Sequence, residues 1–367
     1  MLGFQPPAIG EEEIAAVTET LRSGWLTSGP SAAELERRMA EFLEAEHVLA
    51  LASGTAALHL SLVALGVGPG DEVITSPITW PATANVIVHT GAKPVFVDVR
   101  EEDLNIDPRL AAAAVNDRTK VILPVDLAGQ PADLDPLLEL GLPVIEDAAH
   151  AAESFYRGRK VGSIADATCF SLYATKNIAA GEGGLISTNR DDVAQAVLDL
   201  RQMRRGDGSV YDIPVPGYKA NLSDVLAAIA LCQLDKVERH REIRQRQFAL
   251  YDEAVGELDG VTPLARDERD VHALHLYIVR IDAERAGATR DEYQRALREE
   301  NISTSIHFLP VHRLTWYRER LPDQPRLPIA ERAGDEILSL PLSPAHSDDD
   351  IADVIAALRR LHERFTS

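Results

Sequence analysis

The sequence predicts an α/β protein with a large, mostly parallel seven-stranded sheet flanked by helices. A smaller α+β domain follows at the C-terminal end. Three observations carry this expectation. Short apolar runs alternate with helix-length segments rich in Ala and Leu. No hairpin turn joins the first five runs, so successive strands must cross over and lie parallel, covered on both faces. The texture then changes beyond a long helical stretch that ends near Leu258. The expected division is residues 1–250, including an N-terminal helical arm, and residues 251–367.

The elements follow in order. Glu11-Glu12-Glu13 opens an amphipathic helix that stops at Gly24, with its acids where the helix dipole favours them. Ser31-Ala32-Ala33-Glu34 has the form of a capping box for the next helix. Strands are expected at His47–Ala52, Glu72–Thr75, Pro94–Val99, Lys120–Val125 and Pro143–Asp147. Ala167–Tyr173 and Gly184–Thr188 add two more with shorter connections, which leaves room for one antiparallel strand. Leu222–Leu258 reads as one long linker helix. Beyond it come a strand at Leu274–Ile281, a helix capped by Thr289, a strand at Ile302–Phe308 and a last amphipathic helix capped by Ser347.

Bulk composition narrows the function. The 367 residues are 45% hydrophobic and 26% charged, a globular balance with ample core. A formal net charge of −21 argues against a broad nucleic-acid or anionic-membrane surface. No apolar run is long enough to span a bilayer, and the start lacks a signal-peptide plan. Cys169 and Cys232 have no metal-ligand spacing, so no metal site is expected, and a reducing cytoplasm is the expected compartment.

Chemistry concentrates at strand ends. Asp147 closes an apolar strand, where a lone carboxylate is costly unless paired. Lys176, one of only six lysines, lies 29 residues further on, just past a second strand that contains Ser171. An amine, a carboxylate and a hydroxyl so placed suit pyridoxal phosphate (PLP). The amine forms the covalent link, the carboxylate pairs with the ring nitrogen, and the hydroxyl helps hold the phosphate. Ser53-Gly54-Thr55-Ala56 joins a strand to a helix start, and reads either as a phosphate cradle or as an ordinary N-cap. Trp80 could stack on a flat ring or pack in a core or interface. Asp147 could equally cap a helix, and His150 could lie beside the ring or simply cap or pack. Gly181-Glu182-Gly183-Gly184 lacks the dinucleotide fingerprint. Ligands of parallel sheets bind beyond the strands' carboxyl ends, so these segments can converge.

In these stretches the chain resembles the PLP-dependent nucleotide-sugar aminotransferases of the DegT/StrS group. The matching stretches include Ser53–His59, Gly70–Thr75, Gly91–Asp98, Ile145–His150, Gly158–Gly162, Thr175–Asn177 and Glu182–Gly184. The resemblance implies a fold-type-I aminotransferase and a homodimer with shared active sites. It makes Lys176 the Schiff-base lysine and Asp147 the ring-nitrogen partner. Gly54, Thr55 and Ser171 hold the phosphate, Trp80 stacks on the ring, and His150 lies close by. Gly217–Asn221 reaches into the neighbouring subunit's site, which makes Lys219 a phosphate contact there. Relatives commonly carry asparagine where this chain has Lys219, and a second aromatic where it has Ala220. Thr27, Tyr218, Asn221 and His307 are implied on the substrate side; His307 is open to a second reading as a satisfied core histidine.

Gly24–Pro30, Pro216–Leu222 and His272–Leu276 look most like enzymes that aminate C4 of a UDP-linked keto-sugar, such as those forming 4-amino-4-deoxyarabinose. The expected reaction is transamination of a UDP- or dTDP-linked keto-sugar by an amino acid donor, glutamate first. The alternatives are a 3-keto-sugar or cyclitol ketone acceptor, a PLP-dependent sugar dehydratase and a non-catalytic PLP-binding regulator. The dehydratases it resembles carry histidine in place of the Schiff-base lysine. A nicotinamide-dependent oxidoreductase would need a Gly-rich fingerprint after the first strand, and there is none.

Overall fold

A computed structural model describes residues 1–202 and 215–367. Its strands are β1 (His47–Leu51), β2 (Glu72–Thr75), β3 (Lys93–Phe96), β4 (Thr119–Leu123), β5 (Ile145–Asp147), the short hairpin β6 (Phe155–Tyr156) and β7 (Arg159–Lys160), then β8 (Ala167–Ser171) and β9 (Gly184–Thr188). β3-β2-β4 and β5-β8-β9-β1 are continuous ladders. Parallel bridges Ile122–Val144 and Val125–Asp147 join them. Among the described residues this gives one seven-stranded sheet, ordered β3-β2-β4-β5-β8-β9-β1. Only β9 opposes its neighbours, pairing antiparallel with β8 and β1. The connection from β8 to β9 is too short for a crossover, which accounts for the reversal.

Both faces of the sheet are covered. Helices Gly54–Ala64, Ala82–His89 and Asp191–Arg201 supply one buried cluster, through Leu58, Leu62, Val86 and Val197. Helices Pro30–Leu43 and Asp224–Asp235 cover part of the other face, through Leu35, Met39, Ala227 and Ala230. With both faces dry, the strands read as unbroken apolar runs rather than alternating ones.

The C-terminal part builds on the antiparallel strands β10 (Val261–Pro263), β11 (Tyr277–Ile281) and β12 (Ile337–Leu340). Tyr251, Tyr293, Val279 and Leu358 fill the core between this sheet and helices Val237–Val255, Arg290–Glu299 and Asp348–Thr366. The first eight residues form a strap that stitches several parts together. Leu2 N–H donates to the Asn301 carbonyl, Leu342 N–H to the Phe4 carbonyl, and Gln233 Nε2 to the Ala8 carbonyl.

Three expectations need correction. Helix Pro30–Leu43 has no Ser31 capping box. The carboxylate of Asp224 caps it instead, accepting the N–H groups of Gly29, Ser31 and Ala32 at 2.7–3.0 Å. The stretch Leu222–Leu258 is two helices, Asp224–Asp235 and Val237–Val255, parted at Lys236. Lys236 Nζ binds both Glu12 and Glu13 of the first helix. Ile302–Phe308 is not a strand; only isolated bridges, Leu2–Ile302 and Ser305–Ser339, tie it down. Its side chains turn toward a cavity as well as toward the core.

Candidate active site

The carboxyl ends of β1, β2, β5 and β8 open onto one cavity of about 510 Å³. Asp147, Lys176, Gly54, Thr55, Ser171 and Trp80 line it together, and so do His150 and His307. The residues from Gly54 to Lys176 meet there because parallel strands deliver their carboxyl ends to one edge, while His307 arrives from a segment outside the sheet.

Asp147 ends β5 and is only 5% exposed. Its Oδ2 accepts a bond from Thr83 Oγ1 at 2.7 Å, and its Oδ1 accepts from Ala149 N–H at 3.3 Å. Burial raises its pKa, while these bonds and the nearby Lys176 charge pull the other way. The proton of Thr83 is committed to Asp147, so in the 2.7 Å contact between Thr83 and Thr79 it is Thr79 that donates.

Lys176 sits on a tight turn after β8, with its N–H bonded to the Tyr173 carbonyl at 2.8 Å. Its amine makes no hydrogen bond or ion pair among the described residues. The surrounding protein pushes its pKa down to about 8, against the pull of Asp147. An amine held near neutrality is a usable nucleophile.

The Ser53–Thr55 turn is an N-cap at the cavity wall. Ser53 caps helix Gly54–Ala64, accepting Ala56 N–H at 3.1 Å, and the helix start faces the cavity. A Cβ at Gly54 would lie 3.1 Å from the Ser171 Cβ, tighter than ordinary packing. The closer constraint is at Gly184, where a Cβ would lie 2.3 Å from the Ser53 carbonyl. That contact gives the Gly-rich segment its purpose: β9 runs flush against the turn.

Trp80 is 64% exposed at the cavity edge, its ring 6.1 Å from that of Phe308. His150 Nδ1 accepts the Ala128 N–H at 3.3 Å, and its ring lies 4.4 Å from that of His275. His307 is a bonded, packed histidine that also reaches the cavity wall. Its Nδ1 pairs with Ser339 Oγ at 2.8 Å and its ring stacks on Phe4 at 5.3 Å, yet it also lines the cavity. Burial, then the charge of Lys176, lowers its pKa to about 3, so it is neutral in the working range.

Thr27, Tyr218, Lys219 and Asn221 do not line this cavity. They gather elsewhere: Asn221 donates to Ser28 Oγ at 2.6 Å, Lys219 pairs with Asn221, and Tyr218 sits edge-on to His59. Asp224 N–H donates to the Thr27 carbonyl at 3.0 Å, which ties both segments together.

The DegT/DnrJ/EryC1/StrS aminotransferase profile matches residues 7–359. The chain belongs to this family. The Bacillus subtilis spore coat polysaccharide biosynthesis protein SpsC is 46% identical over 98% of this chain and 96% of its own. The sugar aminotransferase Spr1654 of Streptococcus pneumoniae, solved in apo, PMP and PLP forms, is 34% identical. Its apo form superposes with a TM-score of 0.94, covering 100% of this chain and 98% of its own. DesI, solved with its TDP-sugar product, is 33% identical with a TM-score of 0.91, over 99% of this chain and 93% of its own. The protein is thus a PLP-dependent sugar aminotransferase of fold type I.

The cavity fits that cofactor. It offers an unpaired amine, a buried carboxylate with room for a further donor, and a helix start pared to glycine where a phosphate would approach. Among the lining residues that the sequence reading did not single out are Thr83, Phe4, Gln5, His275 and Phe308. Thr79 and Thr83, one helical turn apart next to Trp80, were a usable signal. Phe4 and Gln5 gave none, because a terminal strap shows no periodicity.

Proposed function

We propose that this aminotransferase moves an amino group from an amino acid, glutamate first, to the carbonyl of a nucleotide-linked keto-sugar. The 4-keto position of a UDP- or dTDP-linked sugar is the foremost acceptor. The observation that carries the reading is the unpaired Lys176 amine and the buried Asp147 carboxylate sharing one cavity. A cavity of about 510 Å³ suits a cofactor and part of a sugar nucleotide. The TDP-sugar product in DesI supports a nucleotide-linked acceptor.

When bound, PLP supplies an electron sink that makes the donor α-hydrogen acidic. Asp147, fixed by Thr83, holds a proton on the ring nitrogen. Gly54, Thr55 and Ser171 bind the phosphate, while Trp80 and His150 fix the plane of the ring. Lys176 Nζ secures the cofactor between turnovers. With the cofactor bound, the Lys176 amine would be the base that takes the proton from the donor α-carbon. His307 faces the acceptor.

Thr27, Tyr218, Lys219 and Asn221 act in the site of a second subunit, and the working unit is a cytoplasmic homodimer. Trp25, Leu26 and Tyr218, exposed at 56%, 51% and 42%, give that surface an apolar face for a second copy to cover. Lys176→Ala should abolish turnover, and borohydride reduction of wild-type holoenzyme should leave the pyridoxyl label on the Lys176 peptide. Label on any other peptide sinks the assignment. The pyridoxamine form, offered a panel of keto-sugar nucleotides and a free cyclitol ketone, should be reoxidised by a 4-keto-sugar nucleotide; acceptance of the cyclitol alone refutes the acceptor class.

A further inference from the structure

Beside Lys176, Asn177 makes three contacts that together determine the proton position on a neighbouring ring. Its Nδ2 donates to Glu153 Oε2 at 2.5 Å and to the Ala273 carbonyl at 2.8 Å. Both partners are acceptors, so this end of the side chain must be the nitrogen. The other end, Oδ1, then faces His275 Nδ1 at 2.9 Å and can only accept. His275 must therefore carry its proton on Nδ1. Its ring is 2% exposed in the cavity wall, and no group among the described residues bonds to its Nε2. Burial, then the charge of Lys176, keeps the ring neutral.

His150 has the opposite arrangement. Its Nδ1 accepts Ala128 N–H, so in the neutral ring the proton lies on Nε2. Ala128 ties the two segments together, since its carbonyl accepts the backbone N–H of His275 at 3.1 Å. Glu153 is anchored in turn by Arg244, from helix Val237–Val255.

We propose that His275 presents a bare Nε2 to the cavity as an acceptor for a hydrogen-bond donor on the ligand, with Asn177 and Glu153 as the positioning residues that fix this tautomer. The two adjoining histidines, tilted 34° to each other, then offer opposite polarity, a donor from His150 and an acceptor from His275. The donor group is either a hydroxyl of the acceptor sugar or the ammonium of the amino donor. The ligand role rests on the reading of this cavity as the catalytic centre; the tautomer does not.

Nitrogen NMR of the holoenzyme labelled with ¹⁵N-histidine tests the tautomer directly, with His275 assigned by signal loss in His275→Gln. The expected spectrum has a protonated Nδ1 and a bare Nε2. Asn177→Ala should mix or reverse the tautomer, and Asn177→Asp combined with Glu153→Gln should restore it by returning an acceptor without a second charge. With the tautomer displaced, one half-reaction followed by cofactor absorbance should slow about tenfold, the worth of one hydrogen bond. Slowing of the acceptor half identifies a sugar hydroxyl, and slowing of the donor half the ammonium. A protonated Nε2 in wild type, or an unchanged tautomer in Asn177→Ala, overturns the proposal. Unchanged half-reactions with a displaced tautomer overturn the ligand role. Should Asn177→Ala fail to fold, the wild-type spectrum and the double variant decide.

Discussion

The two walls of the cavity are built in different ways. The cofactor wall comes from the carboxyl ends of sheet strands: Gly54 after β1, Trp80 after β2, Asp147 at the end of β5, Ser171 closing β8. The opposite wall has no such order. Phe4 and Gln5 come from the terminal strap, His275 from the approach to β11, and Ser305 to Phe308 from a segment held by isolated bridges. Strand ends are placed by a sheet with both faces buried, so their geometry is stiff. Loops and straps are placed by a few bonds each. The residues proposed to hold the cofactor sit on the stiff wall, and the residues proposed to meet the acceptor sit on the loose one.

Perturbing the stiff wall should therefore cost most. Asp147→Asn removes the charge that holds a proton on the ring nitrogen, and kcat should fall about 10²- to 10³-fold, as when a preorganised electrostatic contact is lost. Both half-reactions should slow together; a loss confined to the sugar half would place Asp147 on the wrong wall. The next effect is in pH. With the Lys176 amine at about 8, below its ordinary value, the neutral nucleophile is full above that pH and drops about tenfold per unit below it. Stopped-flow capture of PLP by apoenzyme should follow that curve. A rate that keeps climbing toward pH 10 would mean an amine that burial has not shifted. The smallest effect belongs to the loose wall. Phe4→Ala unstacks His307 and should raise KM for the acceptor a few-fold, about 1 kcal/mol, leaving glutamate kinetics unchanged.

The same contrast separates what was legible in the sequence from what was not. All seven strands of the sheet were, because dry parallel strands are continuous apolar runs. The residues placed together in the cavity by strand-end logic, Asp147, Lys176, Ser171 and Gly54, do share it. Non-local contacts were illegible. Ser31 looks like a cap, but Asp224, 193 residues away, wins the helix start with three bonds. The helix break at Lys236 depends on Glu12 and Glu13, which no local window includes. Ile302–Phe308 has the apolar and polar mixture of a strand, yet four consecutive residues, Ser305 to Phe308, line the cavity. The ladder that would make it one is missing.

The hydrogen-sized gap at Gly184 has a consequence for anyone reshaping this enzyme. Any side chain there would press on the Ser53 carbonyl and tip the start of the following helix, moving that edge of the cavity before it touched a substrate. Attempts to retune acceptor choice are better aimed at the terminal strap, whose side chains reach the cavity while its own backbone is pinned elsewhere.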